Sequence, residues 1–187
     1  MGTVAQKEFD GSLSMISTTV FIYIYCGYLS SFVSRFSEFS LNGKDVSNSI
    51  LAVFLLMVFM CDSIAWFFGV LLGKNNRGFF AASPNKSLIG FFGGFVGSVG
   101  AGLLCRYIWP EIFVGSVLKI IFTGIAIALS AIVGDLAESV LKRSTGFKDS
   151  GNIIPGRGGM LDSIDSLLLS APVFYLLVSI FYGPFVF

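Results

Sequence analysis

Four aspartates lie within, or at the mouth of, long apolar runs of this 187-residue chain: Asp62, Asp135, Asp162 and Asp165. A carboxylate in hydrocarbon costs roughly 2.5–3.5 kcal/mol on insertion scales, so its presence there indicates a function by default. Two basic, glycine-containing loops, 73–87 and 142–159, converge on these acids. Carboxylates beside basic side chains at a membrane surface predict a site for a metal ion and phosphate groups.

The segment around Asp135 places three charged side chains on one helical face. Asp135, Glu138 and Lys142 are three and four positions apart, which is the spacing of helical neighbours. Glu138 and Lys142 could simply pair with each other, or Lys142 could serve the site. Asp135 has no basic residue three or four positions further along the chain, so we expect a functional role for it.

The segment 155–165 combines glycines with two acids at the start of an apolar run. Gly158 and Gly159 allow successive backbone N–H groups to turn toward an anion, and the following helix N-terminus adds a partial positive charge. Asp162 and Asp165 either cap this helix or serve the site. Asp135 and Asp162 come from different helices and could together hold Mg²⁺, which prefers one or two carboxylates with water and phosphate oxygens.

Basic residues of both loops are candidates for neutralising phosphate charge. The second loop contributes Lys142, Arg143, Lys148 and Arg157. In the first loop, Ser83 and Lys86 could bind a phosphate as hydroxyl donor and point charge. The alternative is that the bases only fix membrane orientation. Asp62, deep in its apolar run, requires a partner or water.

The composition indicates an integral membrane protein. Hydrophobic residues make up 55% of the chain, charged residues only 12%, and the mean hydropathy is +0.84, whereas a soluble domain has about 25% charged residues. The net charge of +1 gives no field that would recruit nucleic acid. Histidine is absent, which excludes imidazole as base, ligand or pH switch. Cys26, Cys61 and Cys105 are expected to be small buried hydrophobes.

Hydropathy predicts an all-α fold, a polytopic membrane helix bundle forming a single domain over 1–187. Five segments approach or exceed the roughly 20 residues that a span needs: Leu13–Val33, Ile50–Leu72, Leu88–Trp109, Ile112–Leu141 and Ile164–Phe187. The fourth is long enough to emerge from the bilayer. The positive-inside rule puts both basic loops and the N-terminus in the cytoplasm. A row of small residues in the third span predicts close helix packing: Gly90, Gly94, Ser98 and Gly102.

Together these segments resemble the phosphatidate cytidylyltransferases, or CDP-diacylglycerol synthases. The family signature runs Ser-x-hydrophobic-Lys-Arg, four residues, Lys-Asp, then Pro-x-His-Gly-Gly-x-x-Asp-Arg-x-Asp, and residues 139–149 and 155–165 preserve its spacing. Upstream, Asp62, Gly73-Lys74 and 83–87 are similar to the family's Asp, Gly-Lys and Ser-Pro-x-Lys-Thr stretch. The resemblance covers about 50–187. Arg157 replaces the family's His and Ser163 its second Arg. The chain is shorter than typical members, which begin with further spans, so it is expected to be either a fragment or a chain whose start codon was assigned too late.

The resemblance implies that CTP and phosphatidic acid react to give CDP-diacylglycerol and pyrophosphate, a step of phospholipid biosynthesis. It implies Mg²⁺ held by Asp135 and Asp162, and catalytic roles for Lys142, Lys148 and Asp165. Substrate contacts would come from Asp62, Ser83, Lys86, Arg143, Asp149, Arg157, Gly158 and Gly159. It also implies a homodimer among membrane lipids, with no nucleic acid partner and a site open to cytoplasm and lipid.

Three other functions stay open from the sequence. A CTP-dependent kinase of a polyprenol-type alcohol would transfer a γ-phosphoryl group, a reaction in which a base helps more. A transporter or channel would use the intramembrane acids as a cation path, with Asp62 mattering most. An inactive homologue is favoured by Arg157 and Ser163.

Overall fold

The long apolar runs fold as helices because, within a membrane, backbone N–H and C=O groups must pair inside their own segment. The computed structural model describes residues 12–78, 82–147, 150–151, 153 and 158–183. The helices are α1 (Ser12–Ile22), α2 (Leu29–Arg35), α3 (Ser47–Leu71), α4 (Leu88–Ile108), α5 (Val117–Ser144) and α6 (Leu161–Tyr182). A π-helical segment, Tyr23–Tyr28, joins α1 to α2, and a 3₁₀ turn, Phe36–Glu38, follows α2. These four pieces make one long first span.

Five helical segments of the described residues are long and apolar enough to cross a membrane, which confirms the predicted number of spans. Their bounds are Ser12–Glu38, Ser47–Leu71, Leu88–Ile108, Val117–Ser144 and Leu161–Tyr182. The 28 residues of α5 reach about 42 Å at 1.5 Å per residue, more than the ~30 Å hydrocarbon core, so α5 extends beyond it as expected. The chain is thus a multi-pass membrane protein with an all-α fold.

One small hairpin interrupts this pattern between the first and second spans. Strands β1 (Ser40–Leu41) and β2 (Lys44–Asp45) pair antiparallel. Asn42 and Gly43 join them with φ values of 51° and 75°, the conformation that favours Asn-Gly in two-residue hairpins. The Asp45 carboxylate accepts a hydrogen bond from the Ser47 N–H at 2.9 Å, at the start of α3.

The predicted row of small residues on α4 is buried and packs closely, as expected. Contact with α3 also depends on two glycines outside that row. A Cβ at Gly97 would lie 2.3 Å from the main-chain oxygen of Met60, and one at Gly93 would lie 3.0 Å from that of Ile64. Glycine is therefore required where the two helix backbones meet.

The two ends of the bundle differ in character. At one end α3 and α5 end and α4 and α6 begin. We call it the basic end, and it includes the described residues of the two basic loops, 72–78, 82–87, 145–147, 150–151, 153 and 158–160. The opposite, hairpin end contains an aromatic core in which the rings of Phe36, Phe54 and Phe174 lie 5.1–5.5 Å apart.

The first span packs unevenly on the other four. None of the described side chains of α1 is buried, whereas α2 packs on α6. Cys61 and Cys105 are buried as expected. The expectation was wrong for Cys26, which is exposed because the first span reaches the bundle mainly through α2.

Candidate functional site

The four aspartates that the sequence singled out line one cavity of about 150 Å³ at the basic end: Asp62 from α3, Asp135 from α5, and Asp162 and Asp165 from α6. Close packing of α5 on α6 brings Asp135 near Asp162 and Asp165. A Cβ at Gly134 would lie 2.6 Å from the main-chain oxygen of Asp165. The glycine beside Asp135 therefore permits the approach of α6. We call this space the acidic cavity.

Asp162 fastens the glycine-rich loop to the start of α6. Its Oδ2 accepts hydrogen bonds from the Ser150 N–H at 2.8 Å, the Ser150 hydroxyl at 2.7 Å and the Gly159 N–H at 2.6 Å. A Cβ at Gly159 would lie 2.2 Å from Ser150 Oγ, so the loop closes only with glycine there. Gly158, with φ of 101°, makes the turn that precedes it.

Lys142 joins two nearly inaccessible carboxylates. Its Nζ lies 2.5 Å from Glu138 Oε2 and 2.6 Å from Asp162 Oδ1. The exposed fraction of the Glu138 side chain is 0% and that of Asp162 is 7%. Pairing of Glu138 with Lys142, one of the two alternatives left open, is therefore present, and the same ammonium also reaches Asp162. Glu138 and Lys142 of α5 and Asp162 of α6 therefore form one charged cluster that connects the two helices beside the glycine-rich loop.

Asp135 has a basic partner that is 49 positions away in sequence. The Lys86 ammonium contacts Asp135 Oδ2, and both side chains are partly exposed, at 24% and 34%. Loop 72–87 is folded so that Lys86 reaches α5. Ser87 caps α4 by accepting the Gly90 N–H at 3.0 Å. A Cβ at Gly73 would lie 2.3 Å from that same Ser87 hydroxyl, so glycine is required there.

A second cavity, of about 400 Å³, lies between α3, α4 and the first basic loop. It shares Asp62 and Asp135 with the acidic cavity, and Arg77 and Lys86 are its cations. Its remaining walls are mainly apolar or small: Cys61, Ala65, Trp66, Gly69, Val70, Ser87, Gly90, Phe91 and Ile132, with Asn85. We call it the amphipathic cavity. The two cavities are thus neighbours on either side of the Asp62 and Asp135 carboxylates.

The other predicted site residues are distributed as follows. Asp165 is buried, and its Oδ1 accepts the Ser166 N–H at 2.6 Å. The Ser83 carbonyl accepts the N–H of Lys86 at 3.2 Å, and Arg143 is exposed near the end of α5. Three predicted residues lie outside the described residues: Lys148, Asp149 and Arg157.

Three residues of this region were not assigned to the site from the sequence. Ser150 could not be recognised from the sequence, because its hydrogen bonds to Asp162 form across a loop and depend on the fold. Arg77 lines the amphipathic cavity but was not singled out among the basic residues of its loop. Tyr25 donates its hydroxyl to the Gly134 carbonyl at 3.4 Å. It stands in the π-helical segment, a local irregularity that is frequent at functional sites.

The acidic cavity offers the donor chemistry of a hard divalent cation. Among the described residues no three acidic or cysteine side chains are placed to hold one ion together. Such an ion would therefore take one or two of their carboxylates with water and phosphate oxygens, which is how Mg²⁺ is usually bound. The buried Oγ of Ser163 also lines this cavity and has no hydrogen-bond partner among the described residues. The carboxylate and hydroxyl oxygens of this cavity are of the ligand type that Mg²⁺ prefers.

Comparison with known proteins gives a consistent result. The model of the cytidylyltransferase family matches residues 1–181. The chain is similar to a phosphatidate cytidylyltransferase of Helicobacter pylori strain J99, at 42% identity over 124 residues, which is 66% of this chain and 45% of that protein. It is also similar to one of Thermotoga maritima, at 38% over 159 residues, covering 83% and 56%, respectively. For the chloroplastic phosphatidate cytidylyltransferase 5 of Arabidopsis thaliana the values are 29% over 185 residues, 87% and 44%. The chain spans about half the length of these curated relatives.

Proposed function

The chain belongs to the cytidylyltransferase family, and we propose that it transfers the cytidylyl group of CTP to phosphatidic acid, giving CDP-diacylglycerol and pyrophosphate. The observation that carries this proposal is the acidic cavity, where four carboxylates from three helices line one space. Lys86 and Lys142 lie beside those carboxylates. Paired acids and cations at the end of a membrane bundle are suited to a phosphate-rich substrate and a lipid acceptor.

The proposed reaction needs positioning and charge neutralisation more than a base. An oxygen of the phosphatidate phosphate attacks the α-phosphorus of CTP in line, and the bond from that phosphorus to the bridging oxygen breaks as pyrophosphate leaves. The attacking oxygen is already anionic, so no side chain must remove a proton from it. The absence of histidine is therefore compatible with this chemistry. Cations that neutralise the developing charge supply the main stabilisation.

We propose Mg²⁺ as the metal, with Asp135 and Asp162 as its protein ligands. When bound, the ion would neutralise phosphate charge and orient the reacting groups. Among the described residues, the ion-pair partner of Asp135 is a partly exposed ammonium, that of Lys86, so its carboxylate can be rearranged at small cost. Both carboxylate oxygens of Asp162 accept hydrogen bonds, and the ion would replace Lys142 as the partner of Oδ1. Ser150 and Gly159 would continue to hold its other oxygen.

The placement of the site and the assembly of the chain complete the proposal. Positive-inside logic puts the basic end in the cytoplasm, where CTP is available. The first loop there contains Lys74, Arg77 and Lys86, and the last turn of α5 adds Lys142 and Arg143. Lipid substrate would come from the surrounding membrane, and the active unit would be a homodimer. Lys148, Asp149 and Arg157 would contribute to phosphate binding from the glycine-rich loop.

A product assay tests the function directly. The purified chain in detergent is incubated with CTP labelled on the cytidine, phosphatidic acid and Mg²⁺, and lipid products are separated. We expect labelled CDP-diacylglycerol from the wild type and at least about a hundredfold less from Asp135→Asn and Asp162→Asn, given the weight of electrostatic stabilisation in such reactions. Asp45→Asn, an exposed aspartate of the hairpin end, is the matched control.

The same assay separates the alternatives. CTP labelled on the γ-phosphate, offered with a polyprenol, gives a labelled phospholipid only if the chain is a lipid-alcohol kinase. Inactivity of the wild type, with no gain from Arg157→His and Ser163→Arg, would favour an inactive homologue. Equal CDP-diacylglycerol from the wild type and both aspartate variants would refute the assignment of the metal ligands.

A further inference from the structure

The amphipathic cavity combines features that suit one end of a lipid better than a nucleotide. Arg77 and Lys86 line it, whereas its walls along α3 and α4 are mainly apolar. A nucleotide would leave those apolar walls without a matching surface. A phosphomonoester lipid joins an anionic head, of charge about −1.5 to −2, to hydrocarbon. Its head could take Arg77 and Lys86 as partners, with Lys86 exchanging the Asp135 carboxylate for a phosphate oxygen. The volume of about 400 Å³ lies within the range of small-molecule sites.

The fold brings together the two backbone segments that carry these cations. The backbones of Arg77 and Ser87 pair as an antiparallel bridge, and the Leu88 N–H donates to the Asn76 carbonyl at 3.2 Å. Arg77 therefore lies next to the strand segment that carries Lys86. Its Nη2 reaches the Gly69 carbonyl of α3 at 3.4 Å, which directs the guanidinium across the cavity. A planar guanidinium can bind two phosphate oxygens at once, which an ammonium cannot do in a fixed geometry.

Two residues that line the cavity also face the outer side of α3. Trp66 and Asp62 belong both to the amphipathic cavity and to a groove of about 870 Å³ on the outer face of that helix. Phe59, Ser63 and Phe67 line the same groove. The Trp66 side chain is 70% exposed, as expected of an aromatic residue at a membrane interface. An acyl chain leaving the cavity would pass Trp66 and enter the bilayer.

From this geometry we infer that the amphipathic cavity is the binding site of the phosphomonoester lipid, with Arg77 as its phosphate ligand and Trp66 at its lipid entrance. The inference rests on the proposed function in that it names the place of one of its two substrates. The phosphates of the nucleotide would then reach the acidic cavity, whose volume of about 150 Å³ is below the usual range of sites for a whole ligand. Transfer between the substrates would take place at the border of the two cavities, where Asp62 and Asp135 lie.

Binding of a short-chain lipid tests the site without requiring turnover. Dioctanoyl phosphatidic acid, inorganic phosphate and CTP are each titrated calorimetrically into the full chain in a neutral detergent. We expect Arg77→Gln to weaken binding of the phosphatidic acid at least tenfold and binding of CTP less than twofold, with Arg77→Lys in between. Trp66→Leu should weaken lipid binding about threefold.

Two control variants match these changes. Arg35→Gln removes an exposed arginine of the hairpin end, and Phe92→Leu removes an aromatic residue of α4 that is also 70% exposed. Both should leave lipid binding within twofold of the wild type. Any larger effect would mean that general loss of charge or of aromatic surface, rather than this cavity, governs binding.

Several outcomes overturn the inference. If Arg77→Gln weakens CTP and spares the lipid, the cavity holds the nucleotide. If it changes neither, or if the wild type does not bind the lipid, the cavity is not the lipid site. If inorganic phosphate binds as tightly as the lipid does, the apolar walls contribute nothing to lipid binding. If Arg77→Gln still makes CDP-diacylglycerol with an unchanged KM for phosphatidic acid, only this inference is refuted. If the wild type binds the lipid tightly but makes no CDP-lipid, only the proposed function is refuted.

Discussion

Replacing Lys142 with methionine should destabilise the protein far more than the same replacement at Lys86. Lys142 lies 2.5 and 2.6 Å from two carboxylate oxygens, those of Glu138 and Asp162, whose side chains are 0% and 7% exposed. Lys86 contacts the single carboxylate of Asp135, and both partners are partly exposed. The two substitutions remove the same charge and the same hydrogen-bonding group, so only the surroundings differ.

The expected magnitudes follow from burial. Removing one partner of a buried ion pair costs about 3–5 kcal/mol because a charge is left without compensation. A partly exposed pair contributes only about 0–1 kcal/mol. At about 2–4 °C per kcal/mol for a chain of this size, Lys142→Met should lower Tm by roughly 6–20 °C. The corresponding loss for Lys86→Met should stay below about 4 °C, although its turnover should fall because Lys86 lies at the site.

A thiol-reactive dye can follow this unfolding in detergent. Cys61 and Cys105 are buried and become reactive as the bundle opens, and a Cys26→Ser background removes the exposed thiol. Adding Glu138→Gln to Lys142→Met should recover part of the loss, because the double variant no longer buries that unpaired carboxylate. Equal Tm losses for the two lysine variants, or no recovery in the double variant, would refute the reasoning.

Three further predictions concern the glycines and the metal. Gly97→Ala should cost about 1–3 kcal/mol by overpacking against α3, whereas Gly100→Ala, with open space at its Cβ, should be neutral or stabilise by up to about 1 kcal/mol in thermal unfolding. Gly159→Ala should lower turnover roughly 10–100-fold by displacing the loop at the site. Gly151→Ala, whose Cβ would make ordinary contacts, should not lower it. Similar turnover rates for the two variants would contradict this reasoning. Chelation with EDTA should abolish CDP-lipid formation and added Mg²⁺ restore it, and full turnover in EDTA would exclude the proposed metal.

The spans and the close packing of α4 could be predicted because they depend on local sequence. A run of about 20 apolar residues is itself the requirement for a span, and residues four apart share a helical face wherever the helix lies. The acids could be singled out for a related reason: a carboxylate in hydrocarbon is costly in any fold. Their gathering in one cavity was a hypothesis, and the packing of α5 on α6 through Gly134 now explains it.

The partners of these acids could not be predicted because they come from distant loops. Lys86 and Asp135 are 49 positions apart, and Ser150 and Asp162 are 12 positions apart across an irregular loop. Helical spacing does not constrain such pairs. The hairpin at Asn42-Gly43, in contrast to these pairs, has a local turn signal and could have been predicted from it.

The contacts of the acids divide them into two groups with different consequences for catalysis. Glu138 and Asp162 are nearly inaccessible and share Lys142, so they hold α5, α6 and the glycine-rich loop together. Asp62 and Asp135 instead border both cavities, where two substrates could meet. Loss of Asp162 should therefore act on turnover partly through loop position and lower Tm as well. Loss of the Asp62 carboxylate should lower turnover, because Asp62 lies at the border of the two cavities.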